Sequence, residues 1–88
     1  MRIETKFGYC EYEFETDYVH IYNLFVYPKY RRQGRARELL RMAIAEIRNT
    51  GYKGSISIVA IPSDNSINLR DLKRFYRKMS LQVYDYYG

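Results

Sequence analysis

The sequence has 88 residues, of which 47% are hydrophobic, and its 15 lysines and arginines against 10 aspartates and glutamates give a net charge of +5. This length and composition predict a single folded domain over residues 1–88 and exclude a disordered chain. No apolar run approaches the roughly 20 residues needed to span a bilayer. Cys10 is the only cysteine, so we expect no disulfide, no metal site and a cytoplasmic setting.

The first half of the chain has the pattern of β-strands. After a first strand near the N-terminus, apolar and charged residues alternate over 7–15, which predicts a strand with glutamates on one face. Residues 18–26 are rich in aromatic and β-branched side chains, which predicts a central strand buried on both faces. Pro28 ends it, because proline cannot donate to a strand ladder.

The second half alternates helices and strands. Apolar residues at steps of three and four predict a helix over 36–48, which Gly51 ends with a left-handed cap. Residues 55–61 form a short β-branched strand, and the polar cluster 63–66 offers N-caps for a second helix. The apolar stripe of that helix comprises Leu72, Phe75, Tyr76 and Met79. Residues 81–87 form a last, tyrosine-rich strand.

The resulting order is β-β-β-α-β-α-β. Two helices that alternate with strands imply at least one parallel crossover, so we expect an α+β or α/β-like fold with a mixed, mainly antiparallel sheet. The composition includes 11 tyrosines and no tryptophan. Because tyrosine can face both a core and water, this excess suggests a sheet face that is uncovered or meets a partner.

The turn between the central strand and the first helix concentrates arginines around a glycine, in the segment Arg31-Arg32-Gln33-Gly34-Arg35-Ala36. Unpaired N–H groups at a helix N-terminus bind anions, and arginines add bidentate donors. The segment therefore predicts a diphosphate site. A Walker P-loop is excluded, since no Gly-Lys-Ser/Thr follows, and the G-x-G-x-x-G pattern is absent.

This segment resembles the Q/R-x-x-G-x-G/A signature of the GNAT N-acetyltransferases, and the preceding Leu24-x-Val26-x-Pro28 looks like the strand end that leads into it. A second stretch, Phe75-Tyr76-Arg77-Lys78-Met79-Ser80-Leu81, is similar to the aromatic-Tyr-x-Lys-x-Gly-Phe ending of the family's next helix. Two motifs at the expected separation are more specific than either alone. The resemblance covers residues 18–87.

The resemblance implies a site for acetyl-CoA. The strand end would bind the pantetheine arm, chiefly through backbone groups of Phe25 and Val26, with Leu24 beside them. The turn would hold the pyrophosphate through N–H groups from Arg32 to Ala36, with Arg31 or Arg37 nearby for the phosphates. The cofactor-binding residues expected in the turn are Arg31, Arg32, Gln33, Gly34, Arg35 and Ala36.

The resemblance also implies direct attack of an amine on the thioester, with Tyr76 protonating the departing thiolate. His20, the only histidine, is a candidate general base because its ordinary pKa of about 6.5 suits that role. The carboxylates Glu11, Glu13 and Glu15 are further candidates. For each of these residues a packing or surface role remains an alternative.

Three features depart from the family pattern. Ser80 and Leu81 stand where glycine and phenylalanine are usual. The expected asparagine falls on Leu69, which leaves Asn68 or Asn65 as candidates to reach the pantetheine. Because only 17 residues precede the candidate cofactor strand, we expect a truncated domain without the family's N-terminal helices, which usually build the acceptor site.

Three functions therefore remain open. The leading hypothesis is an acetyl-CoA-dependent N-acetyltransferase with a protein or small-molecule amine as acceptor. A second copy of the chain or a partner chain is a candidate to cover its exposed sheet. The second is a non-catalytic acyl-CoA-binding or regulatory protein. The third is a basic nucleic-acid-binding module. A diphosphate ligand already explains the clustered arginines, which weighs against this third hypothesis.

Overall fold

The computed structural model describes residues 1–60 and 68–85. They form a mixed five-stranded sheet in the order β1-β2-β3-β4-β5, with two α-helices and one turn of 3-10 helix at Pro28–Tyr30. The fold is α+β, and the expected element order is confirmed. The elements are β1 (Arg2–Thr5), β2 (Gly8–Phe14), β3 (Val19–Val26), α1 (Arg35–Asn49), β4 (Ile56–Ala60), α2 (Leu69–Lys78) and β5 (Gln82–Asp85).

The sheet combines an antiparallel half with a parallel half. β1, β2 and β3 pair antiparallel, whereas β3, β4 and β5 pair parallel. Each parallel connection runs through a helix, as a crossover requires. Gly8 opens β2 because the carbonyl of Phe25 lies where a Cβ would stand, so only glycine allows the two strands to come this close.

Both helices pack on the same face of the sheet, where they build one hydrophobic core. Leu40 and Ile47 of α1 share this core with Leu72 and Tyr76 of α2. The spacing of these residues confirms both predicted apolar stripes. The guanidinium of Arg37 on α1 lies 5.9 Å from the ring centre of Phe75 on α2, so the helices also meet at their outer edges.

No helix covers the opposite face of the sheet in the described ranges 1–60 and 68–85, and we call it the open face. Tyr22 is 49% exposed there and Tyr84 57%. The expectation that β3 is buried on both faces was therefore wrong, because only its Val19 and Ile21 side lies in the core. Glu11 and Glu13 do share the open face, whereas Glu15 lies beyond the end of β2.

The ends of the helices show how local sequence sets their length. Gly51 follows α1 with φ +94°, which confirms its predicted left-handed conformation. Asn68 caps α2 by accepting a hydrogen bond from the Asp71 N–H at 2.8 Å; the predicted cap cluster 63–66 lies outside the described residues. None of the helices described is both long enough and apolar enough to cross a membrane.

Candidate functional site

A cleft of about 190 Å³ opens where β3 and β4 diverge. The two strands pair only from Val19–Ile56 to Ile21–Ile58, although β3 continues to Val26. Within ranges 1–60 and 68–85, the last five residues of β3 therefore have no partner on the β4 side. The cleft is lined by Ile21, Tyr22, Asn23, Leu24, Phe25, Ile58, Val59 and Tyr76.

A β-bulge bends β3 at the point of divergence. The register to β2 shifts so that Glu11 pairs with Asn23 and Tyr12 with Ile21, leaving Tyr22 without a partner. An extra residue of this kind twists a strand and re-aims the side chains beside it. The bulge therefore accompanies the separation of β3 from β4.

On the cleft side, the end of β3 has no strand partner among the described residues, although the Val26 carbonyl accepts a hydrogen bond from Arg31. The Tyr27 N–H donates to the Phe7 carbonyl at 2.9 Å on the β2 side. Because backbone groups of successive strand residues point in opposite directions, those of Leu24 and Val26 point away from β2, toward the cleft. The backbone of Phe25 faces β2, and Phe25 lines the cleft with its side chain.

The turn that follows β3 has the geometry of an anion site. Gly34 is the N-cap of α1 with φ +76°, and no side chain caps the helix. The first N–H groups of α1 are therefore left without a side-chain partner, at the end of the helix with positive dipole. A Cβ on Gly34 would meet nothing within 4 Å, so the space in front of the turn is open. Arg32 also has a positive φ, of 63°.

The side chains of the turn have different roles. The Nε of Arg31 donates to the Val26 carbonyl at 2.9 Å. Arg35 forms an ion pair with Glu38 at 3.0 Å, and its buried Nε has no hydrogen-bond partner in the structure. Gln33 is exposed and donates to the Lys29 carbonyl at 3.2 Å. Arg32 is exposed and Ala36 half-buried.

Tyr76 forms part of the cleft wall from the opposite side. It lies on α2, is only 5% exposed and borders the cleft beside Ile58 and Val59. Burial, with a smaller contribution from Cys10, raises the pKa of the Tyr76 hydroxyl to about 12. The hydroxyl therefore keeps its proton at neutral pH.

His20 lies on the open face, next to the cleft but not among its lining residues. Its Nδ1 is 2.8 Å from the hydroxyl oxygen of Ser57, which β4 places directly across. Glu13 is its cross-strand neighbour on β2. The structure therefore brings His20 together with one of the predicted carboxylates.

The asparagines expected near the cleft are not the one found there: Asn68 does not line the cleft, whereas Asn23 does. Both ends of the Asn68 side chain bind Asp71, so Asn68 is engaged in capping α2, and Asn65 lies outside the described residues. Sequence reasoning missed Asn23, which lines the cleft and donates to the Glu11 carboxylate at 2.9 Å. Only the strand register, which is not visible in the sequence, brings this pair together.

The model of the GNAT acetyltransferase domain matches residues 2–80. This chain belongs to the GNAT family. Its fold is similar to the crystal structure of the anti-CRISPR protein AcrVA5, with a TM-score of 0.70 and 35% identity over 91% of this chain and 80% of that one. No curated protein matches the sequence significantly.

Membership of the GNAT family supports acetyl transfer as the general activity, and GNAT domains generally use acetyl-CoA. The residues of this chain fit that ligand. The uncapped start of α1 and the open space before Gly34 suit a diphosphate. The unpaired edge of β3 suits an extended amide-bearing arm, because such an arm can pair with it as a further strand does.

Proposed function

We propose that this GNAT domain transfers the acetyl group of acetyl-CoA to an amine by direct attack. The observation that carries the proposal is the position of Tyr76. Tyr76 borders the cleft between the diverging strands and burial keeps its hydroxyl protonated, and the turn proposed to bind an anion follows the same strand β3. A proton donor and a diphosphate cradle are thus joined by one exposed strand edge.

The proposed ligand position follows from the strand and the turn. The N–H groups of the first turn of α1 would bind the diphosphate, with Arg35 beside them. The backbone groups of Leu24 and Val26 would pair with the pantetheine arm. When bound, acetyl-CoA supplies a thioester carbonyl that an amine can attack.

Different residues around the cleft would then carry out the separate proton transfers. The Leu24 N–H is a donor for the oxygen of the thioester as negative charge develops on it. Tyr76 gives its proton to the sulfur as the C–S bond breaks, and it can do so because burial has kept that proton in place. The amine loses one proton as the C–N bond forms, and the candidate acceptors on the open face are His20, Glu13 and Glu11, which accepts a hydrogen bond from the cleft-lining Asn23.

The open face is the proposed route for the acceptor. Its side chains include Tyr22, Asn23 and His20, which border the point where the strands diverge. Tyrosine and asparagine suit contact with another protein, because both combine exposed surface with hydrogen-bonding capacity. We therefore propose an amine on a protein, or one held between two copies of this chain, as the acceptor.

The likeness to AcrVA5 adds a specific candidate. That neighbour is an anti-CRISPR protein, so a protein component of a CRISPR system is an acceptor to test first. Incubation of purified CRISPR effector proteins with this chain and acetyl-CoA should produce acetylated lysines that mass spectrometry locates. Absence of acetylation on every effector tested, with transfer to other proteins intact, would remove this candidate.

The test of the proposed function is acetyl transfer from radiolabelled acetyl-CoA to a panel of amines, peptides and lysate proteins. Transfer that is saturable in acetyl-CoA and lost in Tyr76→Phe is expected. Saturable CoA binding by calorimetry without any transfer would favour the non-catalytic acyl-CoA-binding alternative. Salt-sensitive binding of an oligonucleotide with no response to CoA would favour the nucleic-acid module.

A further inference from the structure

We propose that Ser57 is a positioning residue, which holds the His20 ring with its proton on Nδ1 and leaves Nε2 free to take the proton of the acceptor amine. The inference rests on the proposed acetyl transfer and assigns its proton acceptor. Ser57 and His20 are 37 residues apart in the sequence, and the parallel pairing of β3 with β4 brings them together.

Ser57 is built into the sheet as a fixed polar group. It is the only buried polar side chain identified among the described residues, with 2% of its surface exposed. Its hydroxyl oxygen lies 2.8 Å from His20 Nδ1 and 3.4 Å from the Val19 carbonyl oxygen. A carbonyl only accepts, so a hydroxyl proton directed to Val19 leaves the oxygen to accept from Nδ1. In this arrangement the ring carries its proton on Nδ1 and its lone pair on Nε2.

The position of the pair suits a proton acceptor. The His20–Ser57 pair is one residue before Ile21–Ile58, the last pair before the strands diverge. The half-buried imidazole lies on the open face, from which an acceptor reaches the cleft. The ring of Tyr18 contacts it edge-on at 6.3 Å between ring centres, which limits its rotation.

Among the described residues, His20 has one charged neighbour across the adjacent strands. From β2, Glu13 faces it across the strands, and the N-terminal ammonium binds that carboxylate at 3.0 Å. From β4 the neighbour is Ser57, which is uncharged, and Tyr18 precedes His20 on its own side of the hairpin.

Each proton and each electron pair in the proposed transfer has a donor and an acceptor. The nitrogen lone pair of the neutral amine forms the C–N bond, and the proton released from nitrogen passes to His20 Nε2. The electron pair of the breaking C–S bond leaves with sulfur, which takes the proton of Tyr76. Exchange with water returns His20 and Tyr76 to their starting states.

The tautomer can be measured directly, because the chain has a single histidine. In ¹⁵N-labelled protein above pH 8, the two ring nitrogens give distinct chemical shifts for the protonated and unprotonated atom. We expect the proton on Nδ1 in the wild type, a shift of the population toward Nε2–H in Ser57→Ala, and the wild-type pattern in Ser57→Thr, which keeps a hydroxyl group. Predominant Nε2–H in the wild type overturns the proposal.

Kinetics test the consequence for transfer. Ser57→Ala should lower kcat about 10-fold at unchanged KM for acetyl-CoA, and Ser57→Thr should recover most of the loss. His20→Gln should lower kcat by about 10²-fold. The control is Ser55→Ala, an exposed serine two residues earlier, which should match the wild type.

The two levels of the proposal fail in different ways. A wild-type kcat in folded Ser57→Ala or His20→Gln overturns the role of the pair while acetyl transfer stands. A wild-type chain that transfers no acetyl group contradicts the proposed function, and the NMR measurement still reads the His20 tautomer in that case.

Discussion

The Nε of Arg31 donates a 2.9 Å hydrogen bond to the carbonyl oxygen of Val26, so the last residue of β3 is tied to the turn before α1. The same guanidinium lies 5.2 Å from the ring centre of Phe25. The Arg31 side chain thereby fixes the strand edge at the cleft relative to the turn that begins the anion site. A ligand that spans both elements depends on that relation.

Replacing Arg31 by lysine keeps the charge but removes the Nε donor and the planar contact with Phe25. We expect the dissociation constant for CoA to rise about 10-fold, which corresponds to about 1.4 kcal/mol, and the free energy of unfolding to fall by about 1 kcal/mol. Calorimetric titration and urea unfolding measure the two effects. Arg41→Lys, an exposed change further along α1, is the control and should alter neither quantity.

Gly34 and Gly51 offer a matched pair of substitutions. Both have a positive φ, and a Cβ on either would meet nothing within 4 Å. Alanine at each position should therefore cost about 1 kcal/mol of stability for conformational reasons alone. Only Gly34→Ala should also weaken CoA binding, by about 10-fold or more, because its Cβ enters the space before the helix N-terminus. Equal CoA affinities in the two variants would contradict the diphosphate site.

Tyr76→Phe removes the proposed proton donor and little else. We expect kcat to fall by about 10²-fold with the affinity for CoA unchanged. Because burial raises the pKa of Tyr76 to about 12, its ionisation should produce no basic limb in the pH profile below about pH 11. Tyr52→Phe provides the contrast: it removes a hydroxyl that donates to the Ser55 carbonyl, so it should lower stability without lowering kcat. A fully active Tyr76→Phe variant would exclude the acid role.

The order of elements could be predicted from the sequence because it depends on local periodicity. Residues only a few positions away determine three of these features: the apolar stripe of α1, the end of β3 before Pro28 and the cap at Gly51. The family could be predicted for a related reason, since both motifs are short segments on single elements. The tyrosine excess suggested a sheet face that is uncovered or meets a partner, and in the described part of the chain Tyr22 and Tyr84 are exposed on the open face.

The remaining features depend on pairing between distant segments. The bulge at Tyr22 exists only in the register of β3 against β2, and the Ser57–His20 contact only in that of β3 against β4. The burial of β3 on one face alone was missed because a run of aromatic side chains looks the same whether water or a helix covers it. Asn68 was considered for the ligand because sequence does not show that its side chain caps α2.

The backbone conformation of Ser80 predicts that glycine at this position stabilises the fold. It follows α2 with φ +64°, and the N–H of Leu81 bonds back to the Tyr76 carbonyl at 3.3 Å, which is the pattern of a helix end that favours glycine. Ser80→Gly should raise the free energy of unfolding by about 1 kcal/mol, since the left-handed conformation costs a side-chain-bearing residue about that much. Ser55→Gly, at an exposed position without a positive φ, should instead be neutral or destabilising. Urea unfolding of both variants checks the difference, and a destabilised Ser80→Gly would contradict the strain.

Three buried groups predict a loss of stability at alkaline pH. Burial raises the pKa of the Cys10 thiol to about 12 from 9.0, and the pKa values of Tyr12 and Tyr76 to about 12 from 10.0. Below pH 9 the groups are protonated in both states and their contribution is fully present. As the pH rises from 9 toward 12 the unfolded chain releases protons that the folded chain retains, so the free energy of unfolding falls.

Each group contributes a slope of up to about 1.4 kcal/mol per pH unit in that window. Urea unfolding between pH 7 and 10.5 measures the decline, which should begin near pH 9 with the thiol and steepen near pH 10 with the two tyrosines. Cys10→Ala should lower stability at pH 7, because it leaves a small cavity, yet flatten the curve between pH 9 and 10. A curve in Cys10→Ala that runs parallel to the wild type through that interval would show that Cys10 does not cause the first part of the decline.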